Sequence, residues 1–158
     1  MPNLVEYMKI VNGLSPIDVD TAPTTEDYVS MKNYGHCTVI LTLGVTGSAC
    51  TITLKQASDV AATGEKALGF SWVWVNAAVG TDDILVKTAV TSNTFDTSTA
   101  DGLMYVMEID AETLDVSGGF DCMRIDVGAS TGATIASCVY VLSEPRYAQA
   151  TPPTAVVD

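Results

Sequence analysis

Alternation of apolar and polar side chains with a period of two runs through most of this chain, and that period restricts it to β-structure. In Cys37–Leu43 (CTVILTL), Cys37, Val39, Leu41 and Leu43 share one face, while Thr38, Ile40 and Thr42 take the other. Cys50–Gln56 repeats the pattern, with Cys50, Ile52 and Leu54 opposing Thr51, Thr53 and Lys55. Further strands are expected at Ser15–Val19, Tyr28–Tyr34, Ala67–Val75, Ile84–Val90, Leu103–Ile109, Cys122–Val127 and Thr134–Leu142. These runs are rich in Val, Ile, Thr and aromatics, which suit a pleated, half-buried surface. Gly, Asp, Asn and Ser separate them, as turns require. Many short strands at this spacing specify an antiparallel sandwich or barrel.

Helix signals are weak. Gln56–Leu68 is broken by Thr63-Gly64, and Asp110–Asp115 is about one turn long, so both read as loops, the second with a turn of 3₁₀ helix. No internal repeat or boundary divides the 158 residues, which make one domain at roughly 100–200 residues per domain. All six prolines lie in Pro2–Pro23 and Pro145–Asp158. Because proline lacks the N–H a ladder needs, residues 1–20 and 145–158 are expected to be extended arms over the surface or onto a neighbour.

Composition narrows the function. With 47% hydrophobic and 16% charged residues, the chain has the material for a core and not the profile of a disordered one. A net charge of -12, from seven basic and nineteen acidic residues, supplies no footprint for nucleic acid and no attraction to an anionic membrane. The longest apolar stretch, Ala67 to Val79, is interrupted by Gly69, Ser71 and Asn76, too short to span a bilayer. Met1–Tyr7 shows no basic region followed by an apolar one, so cytoplasmic synthesis is expected.

Gly128-Ala129-Ser130-Thr131-Gly132 fits G-x-S-x-G, but that motif needs a following helix and a histidine later in the chain. A strand-like run follows instead, and the single histidine, His36, lies upstream, so a small-residue hairpin loop is expected. Glu108 and Asp110 share a strand face, which leaves a two-carboxylate hydrolase as a rival. One histidine and four widely spaced cysteines do not make a zinc site. Asp18-Val19-Asp20 opens like a calcium loop, but Pro23 stands where the loop requires glycine. No phosphate loop or dinucleotide fingerprint is present, so no cofactor is expected and the chain reads as a non-enzyme.

Two features point to contacts. Cys37 and Cys50 are in phase with core residues and Cys138 lies in an apolar run, whereas Cys122 shares its face with Arg124 and Asp126. Cys122 is therefore expected to be the most exposed thiol, able to cross-link to a neighbour in an oxidising medium. In Phe70–Val75, Phe70, Trp72 and Trp74 form one face and Ser71, Val73 and Val75 the other. A strand apolar on both faces is buried on both, inside a sandwich or at a subunit contact. The rival is an exposed Trp72/Trp74 platform stacking on sugar rings. Arg146 and Tyr147, of the types enriched at interface hot spots, are the candidate anchors of the second arm.

Asp27-Tyr28-Val29-Ser30-Met31-Lys32-Asn33-Tyr34 followed by Cys37–Leu41 resembles the opening of a group of small tailed-bacteriophage structural proteins. Thr53–Val60 with Lys66-Ala67-Leu68, Gly119–Arg124, and Leu142–Ala148 are similar to later stretches of that group. The resemblance spans roughly Pro16 to Pro153. It implies a capsid decoration (cement) protein with a jelly-roll-like fold, trimeric, bound to the major capsid protein on the outer surface of the virion and synthesised in the host cytoplasm. A receptor- or carbohydrate-binding virion module, or a head-completion or tail protein, is the alternative. The acidic, catalytically bare composition suits such a role, with arms able to add a strand to a partner's sheet edge.

Overall fold

The computed structural model describes residues 3–78, 80–147 and 151–157. After a short helix α1 (Leu4–Tyr7), eleven strands follow in order. They are β1 (Lys9–Asp18), β2 (Val29–Ser30), β3 (Tyr34–Thr46), β4 (Thr51–Ala57), β5 (Lys66–Ala67) and β6 (Trp72–Asn76), then β7 (Val86–Ala89), β8 (Thr94–Asp96), β9 (Leu103–Asp110), β10 (Cys122–Val127) and β11 (Thr134–Pro145). One sheet has six strands in the order β1-β11-β3-β9-β6-β7. The other runs β2-β10-β4-β5, with β8 also paired to β4. Every pairing is antiparallel, giving the all-β sandwich that the alternation specifies.

The period of two decides which side of each sheet is dry. On β3, Cys37, Val39, Leu41 and Leu43 are buried, and on β4 so are Ile52 and Leu54. Met107, Ile109, Ile125, Tyr140 and Leu142 join them in one continuous core between the sheets. Tyr140 ties the layers together: its hydroxyl, on the six-stranded sheet, accepts the backbone N–H of Ile125 on β10 at 2.8 Å. Beyond the two-residue β2, that N–H has no neighbouring strand to meet, so a buried phenol oxygen satisfies it. Glu26 Oε1 does the same for the Val127 N–H at 3.2 Å.

Described stretches of both expected arms run along the body. Lys9–Asp18 is a full edge strand paired with β11, accommodating Pro16 through register shifts on either side of Leu14. Gly13 sits at one of these shifts because the Tyr140 ring lies where a side chain would go: an added Cβ would stand 2.4 Å from Cε2. At the other end, Arg146 N–H donates to the Asn33 carbonyl, Ser30 N–H donates to Ala155, and Ala155 is fully buried. The Tyr34 hydroxyl donates to the Pro153 carbonyl. Of the expected arms, Met1, Pro2, Ala148–Ala150 and Asp158 lie outside the described residues.

Candidate functional site

The two outer faces of the sandwich differ in kind. Across the six-stranded sheet, the registers align one transverse row, Asn12–Val139–Ile40–Val106–Trp74–Lys87, one residue from each strand. Four of the six are apolar. Beside it run Ile10, Val141 and Thr38, with Ile10 44% exposed. In the next row Thr42 and Ser137 hydrogen-bond each other at 2.7 Å, beside Met104 and Asn76. Across the middle strands of this face the polar side chains are mostly short and uncharged.

Charge gathers at one end of that face. His36 on β3 lies between two carboxylates of β9, with Nδ1 at 2.7 Å from Asp110 and Nε2 hydrogen-bonded to Glu108. Glu108 also accepts from the Thr38 hydroxyl. Partial burial opposes the charged imidazolium, but the hydrogen bonds and charge of Asp110 and Glu108 outweigh it and raise the His36 pKa above its ordinary value. Trp72 and Trp74 border a shallow cleft shared with Glu108, Asp110 and Thr113. Across β7, Lys87 places its ammonium 4.4 Å from the Trp72 ring centroid and 5.2 Å from that of Trp74. Cation–π attraction thus already occupies this aromatic pair.

On the five-stranded sheet, charge is settled internally. Arg124 of β10 reaches Glu26 at 3.3 Å, Glu65 at 3.2 Å and Asp126 at 3.1 Å, and lies over the Tyr28 ring. Lys55 of β4 pairs with Glu65 and Asp126. Burial works against ionised Glu65, yet hydrogen bonds from Lys55, Tyr28 and Arg124 prevail and hold its carboxyl at about 2. Desolvation, joined by the hydrogen bond to Glu65, pushes the Tyr28 phenol far up. The alternation of β4 and β10 signals Lys55, Arg124 and Asp126 as face residues. Glu26 and Glu65 come from irregular segments with no periodic signal, and sequence reasoning missed them.

The candidate contact residues separate in the structure. Trp72 is 46% exposed, so the Trp face is not buried within the chain, while Val73 on the opposite side is core. Asp110 borders both the tryptophan cleft and the depression lined by Arg146, which brings those two candidates to neighbouring positions. Tyr147 is exposed elsewhere, among Glu6, Tyr7 and Pro152. Cys122 corrects the expectation of an exposed thiol: it is fully buried, packed with Tyr28 and Ala57 beneath Val60 and Ala62 of the loop after β4. The phase of β10 placed it correctly beside Arg124, but only the fold shows that a loop covers that end of the face. All four cysteines are buried.

The serine-motif and calcium-loop candidates both make local hydrogen bonds. The Ser130 hydroxyl donates to the Gly132 carbonyl within its turn, at the end of the sheet opposite His36. Asp18 accepts the N–H groups of Asp20 and Thr134, capping the end of β1.

No family model matches this chain, and no curated protein does. A solved structure similar to it is the crystal structure of the SPBc2 prophage-derived protein YomS. That likeness has 12% sequence identity and a TM-score of 0.44, covering 85% of this chain and 92% of that one.

Proposed function

We propose that this chain is a non-enzymatic bacteriophage virion protein, a decoration protein that docks as a homotrimer on the major capsid protein at the outer surface of the head. One observation carries the reading: the middle of the outer face of the six-stranded sheet is rich in Ile, Val and Trp, with its carboxylates gathered at one end, as protein interfaces keep charge off their centres. The bacteriophage assignment itself comes from the sequence resemblance described above. Docking stabilises a shell by mass action, because the added protein binds assembled subunits and not loose ones.

Co-sedimentation of the purified chain with expanded phage heads tests this. Saturable binding at a fixed ratio to the capsid protein is expected, reduced about tenfold or more by Trp72→Ala, since exposed aromatics at interfaces are typical hot spots. Failure of the wild-type chain to sediment with heads overturns the proposal. A few copies per particle would instead select a head-completion or tail position.

The tryptophan–carboxylate cleft supports a carbohydrate-binding reading as second choice. Lys87 lies across the ring pair a sugar would stack on, which favours protein docking. Glycan binding that quenches tryptophan fluorescence would reverse that order.

A further inference from the structure

Sheet edges left open pair with other chains, and proteins blunt them with prolines, bulges, short strands or covering segments. This chain treats its other edges in those ways. β1 carries Pro16 and two register shifts, Ala155 covers β2, Tyr140 and Glu26 cap β10, and β5 and β8 are two and three residues long. β7 differs. All four of its residues are exposed, no proline falls in it, and it is led in by Ile84 and Leu85, 63% and 41% exposed, with Val86 at 60%.

The phase of β7 shows which groups are open. The Val90 N–H donates to the Ser71 carbonyl, so by alternation Thr88 and Val86 face β6, and the main-chain groups of Lys87 and Ala89 point outward. Leu85 and Asp83 continue the outward set once the segment is extended.

We infer that β7 is a self-pairing edge: a second copy of this chain adds antiparallel to it about a two-fold axis at Leu85. Charge selects that register. With Leu85 opposite its own copy, Lys87 of each chain stands across from Asp83 of the other, two reciprocal ion pairs on one strand pair. Ile84 meets Val86 of the copy on the opposite side of the ribbon, clustering four exposed apolar side chains. The contact is isologous and closes on itself, so it pairs copies and leaves the ring contacts of a trimer to other surfaces. It concerns the free chain and does not rest on docking to a shell.

Sedimentation equilibrium of the full chain over a wide concentration range, with no capsid present, tests it. Reversible association of copies is expected. Lys87→Glu alone weakens it about tenfold, the size of two cross-strand pairs turned repulsive, and Lys87→Glu combined with Asp83→Lys restores it. Leu85→Cys is expected to cross-link to itself under mild oxidation, against a background kept low by the buried native thiols. The exposed Val45→Cys, far from the edge, is expected not to. A chain that stays single at every concentration, with no Leu85→Cys cross-link, overturns the inference. So does association indifferent to the charge swaps.

Discussion

The two outer faces are made from the same strand grammar and end in opposite states. On the five-stranded sheet, long charged side chains find partners within the chain: Arg124 alone meets three carboxylates and an aromatic ring. On the six-stranded sheet, the equivalent positions carry Ile, Val, Thr and Trp facing outward, with charge confined to Lys87 and to the end that holds His36. The difference teaches how to tell a finished surface from an open one. A charged face satisfied by its own ions has little left to offer a partner, while an apolar face pays its hydration cost until something covers it.

The sharpest way to break this contrast is to remove the centre of the finished face. Arg124→Ala leaves Glu26, whose side chain is 1% exposed, without its cation, and is expected to cost about 3 kcal/mol in denaturant unfolding. Acid probes the same network without mutation. Glu65 sits at about 2 when folded and near 4.5 as a reference group, so its stabilisation is complete above the reference value and is lost as pH falls toward 2. The midpoint of urea unfolding is expected to drop over that window, and the drop to shrink in Glu65→Gln.

Between the faces, Tyr140→Phe deletes the acceptor of the Ile125 N–H and is expected to cost about 1–3 kcal/mol, the desolvation penalty of a buried unpaired donor. The smallest effect sharpens the comparison from the other side. Ile10→Thr on the open face is expected to change stability by less than about 0.5 kcal/mol while reducing co-sedimentation with heads. A stability loss as large as that of Arg124→Ala would show that the open face is sealed in the free chain.

Most of the sandwich was legible because alternation reports faces directly. Cys37, Val39, Leu41 and Leu43 on one strand, and Cys50, Ile52 and Leu54 on another, are buried as their phase requires. What escaped depended on neighbours distant in sequence. β1 was anticipated only over Ser15–Val19, and the bulges that let it run on through Gly13 exist only against Tyr140 and β11. Cys122 kept its expected phase, yet the loop holding Val60 and Ala62 closes over it. Trp72 looked like core because it is large and apolar, but it lies on the outer face of a strand next to the sheet edge, with no second layer above it.

The described ends of the chain bear on how such a molecule could be used. Ala155 is buried beside β2, and Pro153 is held by the Tyr34 hydroxyl, so the last turn of chain locks onto the body it came from. A body latched in this manner arrives at any destination already in final form.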